Sequence, residues 1–183
     1  VVHSDGIKQF TQLEGDIILS LSPAQLQTLK AAIAAETDPA FVGYRTNGQT
    51  TLMASFYNTA HPSFVVFKSS ETVANVGLAV NYVAFEALTT ANLEKINTFT
   101  RLNMVAFDPS KSDIRSFWAN VFSGALGGFG QATRDAFDAL WRRFATRGER
   151  LYATGTGTTV APGVLVFQGA ITDTDISQAI NLP

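Results

Sequence analysis

The sequence predicts a mostly α-helical chain, with about six helices and a small β-hairpin or short sheet. It forms a single compact domain over 22–183 behind an extended N-terminal arm over 1–21. Three observations predict this class. Helix-start signals recur at Ser22-Pro23, at Asp108-Pro109 and at Thr172 or Thr174. Ile114, Phe117, Trp118, Val121 and Phe122 recur at helical spacing and draw one continuous apolar stripe. Strand-like runs are few and short, namely FVVFK at 64–68, RLYA at 150–153 and VLVFQ at 164–168.

The elements follow in order. Residues 1–21 lack helical periodicity, and Ile17, Leu19 and Leu21 alternate as in a short strand, so this stretch reads as an arm seeking a sheet edge or groove on another molecule. Ser22 caps a first helix, with Gln25 three residues on, and Leu26, Leu29 and Ile33 mark its inner face until Asp38-Pro39 ends it. A shorter helix is expected from about Gln49 to Asn58, then the FVVFK strand after the His61-Pro62 turn. Residues 71–88 read as helix, and Thr89 or Thr90 caps another that runs to Asn103 with Leu93, Ile96 and Phe99 inward. The Trp118 helix begins at Pro109, and GALGGFG (124–130) connects it to a helix carrying Phe129, Phe137, Leu140 and Phe144 inward. On that helix's outer face Arg134/Asp138 and Asp138/Arg142 stand at i,i+4. RLYA and VLVFQ flank ATGTGTTVAPG as a hairpin, and a last helix carries Ile176 and Ile180.

Composition narrows the function classes. Charged residues make up 15% of the chain, against about 25% in ordinary soluble domains. So little charge suggests that other subunits cover part of the surface, and a homo-oligomer is expected. The net charge of −2 argues against a dedicated nucleic-acid binder. With no Cys there is no disulfide and no thiolate metal site. The most apolar run, 76–88, is too short to span a bilayer and contains Asn81 and Glu86, so no membrane partner is expected.

No catalytic, cofactor or metal site is expected. In ATGTGTTVAPG, Gly155 and Gly157 lead to Thr158, Thr159 and Val160 rather than to the Gly-Lys-Ser/Thr of a phosphate-binding loop, and no helix follows to receive an anion. GALGGFG follows a helix, whereas a dinucleotide fingerprint follows a strand. His3 and His61 are the only histidines and have neither metal-ligand spacing nor a GxSxG serine to serve. Asp173 and Asp175 complement a helix dipole, and Trp118 and Trp141 read as core or interface. Arg142, Arg143, Arg147 and Arg150 read as the end of a helix, yet they exceed what a helix end requires. They are expected to meet acidic patches of a neighbouring subunit or, failing that, to make non-specific contact with DNA.

Four blocks taken together resemble a known family. LSPAQLQTLKAAIAAETDPA, FYNTAHPSFVVFKS, FDPSKSDIRSFWANVFSG and ATRGERLYATGTGTTVAPGVLVFQGAITDTDISQAI, spread over about 20–181, resemble small proteins encoded by tailed bacteriophages. The last block carries the most specific likeness. Two departures stand out: Gly148 occupies a position where such proteins more often carry Ala, and the first twenty residues extend beyond the family's usual start. The resemblance implies a structural protein rather than an enzyme. Its setting would be the virion, reached from the host cytoplasm during assembly, with other head, portal or tail proteins as partners. A head–tail connector or neck ring subunit is the leading expectation. A capsid decoration or other minor virion protein is the alternative within virions, and a non-structural phage enzyme or nucleic-acid binder is the alternative outside them.

Overall fold

A computed structural model describes residues 21–102, 105–123 and 127–183. In chain order the elements are α1 (Pro23–Ala35), α2 (Pro39–Thr46), α3 (Thr50–Tyr57), β1 (Ala60–Phe67), β2 (Glu71–Thr72), α4 (Val73–Ala79), α5 (Tyr82–Glu86) and α6 (Thr90–Leu102). They continue with β3 (Ala106–Phe107), α7 (Ser112–Val121), α8 (Gly127–Trp141), β4 (Arg142–Thr146), α9 (Arg147–Tyr152) and α10 (Asp173–Ile180). The chain is mostly helical, with two small antiparallel pairings, β1 with β4 and β2 with β3.

Two apolar clusters make the body. Leu21, Leu26, Leu29, Ile33, Phe41, Met53, Tyr57, Phe167, Ile171 and Ile176 join α1, α2, α3 and α10. Val76, Ala84, Phe99, Phe107, Trp118, Phe122, Phe137 and Trp141 join α4 to α8, and aromatic rings dominate this second cluster. Trp118 meets Phe99 edge-on at 5.3 Å and Trp141 stacks on Phe137 at 5.2 Å, so both tryptophans are core residues. The β1–β4 pair carries a third, small cluster of Phe64, Val66 and Ala145.

Local chemistry explains most boundaries. Ser22 and Gln25 form the expected capping box, with the Gln25 N–H donating to Ser22 Oγ at 3.4 Å and the Ser22 N–H to Gln25 Oε1 at 2.9 Å. Thr172 and Asp175 do the same for α10. Asp38-Pro39 does more than end α1, which stops at Ala35. The Asp38 carboxylate accepts from the Ala40 and Phe41 N–H groups and so starts α2, a helix the sequence reading omitted.

Several expectations are corrected. Residues 71–88 are not one helix: Thr72 caps α4, then Asn81 caps α5, and each cap side chain ends the preceding run by offering its oxygen to new N–H groups. Asp108-Pro109 does not open α7. Asp108 Oδ1 instead accepts from the Ser110 N–H and hydroxyl, holding a turn, and the helix starts at Ser112. Gly127–Gly130 belong to α8 rather than to a connection, while 124–126 lie outside the described residues. Phe129 and Phe144 both face outward, each 51% exposed. Phe144 lies on β4, where alternation turns Ala145 inward instead. Ile180 is exposed as well. VLVFQ makes no strand, and RLYA lies in a helix, for a reason that bears on the arginines.

Candidate interface

The arginine-rich stretch is a strand followed by a short helix, not the end of a long one. Arg142–Thr146 pairs antiparallel with β1, placing Val65 opposite Phe144, Val66 opposite Arg143 and Phe67 opposite Arg142. Thr146 and Glu149 then form a capping box that opens α9. The T-x-x-E spacing was present in the sequence, and it outweighs the β-like look of Leu151-Tyr152.

With two on β4 and two on α9, the four arginines go to four different places. Arg142 bonds Asp138 at 3.0 Å, the expected i,i+4 pair, here bridging the end of α8 to β4. Arg134 does not join it and donates instead to the Phe122 carbonyl and to Gln131. Arg143 clasps Glu149 with both terminal nitrogens, at 2.6 and 2.7 Å. Glu149 is 4% exposed and also accepts from the Thr146 N–H at 2.9 Å, so it is an interior carboxylate whose charge Arg143 answers. Arg147 lies over the Phe56 ring, 4.4 Å from ring centre to guanidinium carbon, and its Nε donates to Thr59 Oγ1 at 3.2 Å. Arg150 lies over Phe64 at 4.3 Å. Arg147 and Arg150 thus have aromatic platforms and, among the described residues, no ion-pair partner. Both guanidinium groups act on His61, which burial, then Arg150, then Arg147 hold below its ordinary titration range.

The glycines of ATGTGTTVAPG serve Phe64. The loop is closed by an antiparallel bridge in which Thr154 and Val164 exchange N–H to carbonyl bonds of 2.9 Å, as a minimal hairpin does. It then lies along β1: the Val65 N–H donates to the Gly157 carbonyl at 2.7 Å and the Gly163 N–H to the Val65 carbonyl at 2.8 Å. Both glycine backbones press on the Phe64 ring. A Cβ on Gly157 would stand 2.1 Å from Cδ2 of that ring, and one on Gly163 would stand 2.4 Å from Cζ. The Gly157 carbonyl and the Gly163 N–H are thus spent on pairing with β1.

Gly148 has a similar task. A Cβ there would stand 2.6 Å from Cγ1 of buried Ile171, so the glycine allows α9 to lie close to the segment before α10. The capping box of Thr146 and Glu149 secures the helix start around it.

The arm residues Ile17 and Leu19 lie outside the described residues, as does His3. Leu21 is described and is buried in the first cluster, with its N–H 3.5 Å from Asp175 Oδ1. Sequence reasoning missed an apolar corner on α4 and α5. Leu78 is 85% exposed and Tyr82 72%, with Val83 and Phe85 beside them in sequence. Its signal was weak, because the run 76–88 is apolar but for Asn81 and Glu86, and no periodicity separates its inner residues, Val76 and Ala84, from the outer ones.

A buried carboxylate sits at the edge of the second cluster. Burial alone would raise the Glu71 titration point, but bonds from Lys68 at 2.8 Å, Asn75 at 2.7 Å and the Thr72 N–H at 2.9 Å overcome that and hold it below its ordinary value of 4.5. A carboxyl group depressed by folding stabilises the fold above its unfolded value and loses that contribution as the pH falls through its folded value. Thermal melts recorded from pH 6 to pH 3 are therefore expected to fall less steeply for Glu71→Gln than for the parent chain, starting from a lower melting temperature near neutrality. Parallel curves would remove Glu71 from the acid response.

Among the described residues no group of three His, Asp or Glu side chains is placed to hold a metal ion, and no helix is long and apolar enough to cross a membrane. Compared with protein-family models, with curated proteins and with solved structures, the chain matches none.

Proposed function

We propose that this chain is a structural subunit of a tailed-phage virion, repeated around the head–tail connector or neck as a homo-oligomeric ring. The observation that carries the reading is the corner of Leu78, Tyr82 and Val83, set out in solvent on a chain with only 15% charged residues. Large apolar side chains presented together on a charge-poor surface mark contact with other protein. The resemblance of the four sequence blocks to phage proteins supplies the setting. Helices would pack side by side around the ring, and the arm would reach an adjacent subunit.

Quantitative mass spectrometry of purified particles tests this. The chain is expected in the particle at the low copy number of a neck ring. Copies in proportion to the capsid lattice would make it a decoration protein, and absence from particles would overturn the structural reading in favour of a non-structural enzyme or nucleic-acid binder.

A further inference from the structure

Two of the four arginines are spoken for, and the other two are not. Arg147 and Arg150 lie over Phe56 and Phe64, and apart from the Arg147 Nε bond to Thr59 neither has an ion-pair partner among the described residues, so both charges are open to a carboxylate. His61, whose ring lies 6.4 Å from that of Phe64, adds a donor: the Ser63 N–H lies 3.5 Å from its Nδ1, which leaves Nε2 to carry the proton. The only acidic residue within this stretch of α9, Glu149, is already engaged by Arg143. The result is a small cationic face at the junction of α3, β1 and α9 that is unanswered within the described residues.

Its size selects the partner. Affinity for nucleic acid grows with the number of phosphates neutralised, and two arginines neutralise few on a chain of net charge −2. Two guanidinium groups suit a pair of carboxylates. The N-terminal arm offers such a pair in Leu13-Glu14-Gly15-Asp16, followed directly by Ile17, Ile18 and Leu19. Against Asp5, Glu14 and Asp16 the arm has only Lys8.

We infer that the Arg147–Arg150–His61 face receives the Glu14–Asp16 segment of the arm of a second copy of this chain. The inference rests on the reading of the chain as a self-assembling subunit. Exposed ion pairs contribute little one at a time, whereas around a closed ring the same contact repeats and each reinforces the next. The charges fix which part of the arm sits where, and the apolar residues after Asp16 supply contact area.

The absence of Cys from the chain makes a direct test available. A full-length Gly15→Cys/His61→Cys double variant is oxidised at high protein concentration and run without reductant beside the two single-Cys chains. Trans docking is expected to give a ladder of covalent multimers that neither single variant gives. Adding Arg147→Glu and Arg150→Glu should reduce the ladder about tenfold by like-charge repulsion, and adding Glu14→Lys and Asp16→Lys as well should restore it. Circular dichroism of each variant confirms that the helices persist. A monomeric product closed on itself would show docking within one chain and overturn the inference. So would the absence of any disulfide beyond the controls, or a ladder indifferent to both charge reversals. Particle mass spectrometry is independent of all these outcomes, so failure here leaves the virion reading standing or falling by its own experiment.

Discussion

Gly157→Ala is expected to lower stability by about 2–5 kcal/mol, more than any exposed charge on this chain could. Two effects add. Gly157 has φ of +65°, where a side chain costs about 1–3 kcal/mol. The new methyl group would also meet three atoms of the Phe64 ring at 2.1, 2.2 and 2.6 Å. That ring is buried, stacked against Arg150 on one side and confined by Gly163 on another, so it has nowhere to move without overpacking costs of about 1–3 kcal/mol. Gly155→Ala is the control. Its φ of +86° brings strain, but the nearest atom to a new Cβ is Gly163 Cα at an ordinary 3.6 Å, so only about 1–2 kcal/mol is expected. For a chain of this size the Gly157 change should shift the melting temperature by roughly 5–15 °C. Equal shifts for the two variants would show that the ring contact is immaterial.

Arg143→Gln should be the most damaging of the single arginine changes. It removes both bonds that answer the Glu149 charge, leaving a carboxylate whose side chain is 5% exposed. Breaking a fully buried pair costs about 3–5 kcal/mol. The Arg143 side chain is 31% exposed, so water relieves part of the loss and about 2–3 kcal/mol is expected. Arg147→Gln and Arg150→Gln should each cost under about 1 kcal/mol, the scale of an exposed cation over a ring. The double variant Arg143→Gln/Glu149→Gln separates mechanism from mere truncation, because Gln at 149 keeps the capping geometry and removes the orphaned charge. Recovery of most of the lost stability is expected in denaturant melts, and no recovery would refute the charge argument.

How far the sequence could be read depended on whether a signal was local. The capping boxes at Ser22 and Thr172 and the stripe from Ile114 to Phe122 are complete within a few residues, and each produced the element expected. The arginine cluster failed because its register was decided elsewhere. Trp141 ends α8 where the chain meets β1, a strand some eighty residues earlier, and no property of Arg142–Thr146 alone announces that pairing. Thr146 and Glu149 did announce α9, but the run after them was read by its β propensity, which burial and capping override. At the candidate site the four positions were legible and their roles were not. Which arginine answers Glu149 and which lies over a phenyl ring depends on strand alternation and on Phe56 and Phe64, both remote in sequence.

The two apolar clusters differ in how the chain is threaded through them, and this bears on the order in which the protein is made. The aromatic cluster draws on one uninterrupted stretch from Val76 to Trp141, so every piece of it has been synthesised before Arg142 is added. The other cluster is split: Leu26, Leu29, Phe41 and Met53 come first, but their partners Phe167, Ile171 and Ile176 arrive more than a hundred residues later. On the ribosome the middle of the chain has its full set of partners while the first three helices still expose the faces that α10 will cover. The strand β1, already made, is the edge on which β4 pairs. The last turn of α10 therefore completes the core that the first helix began.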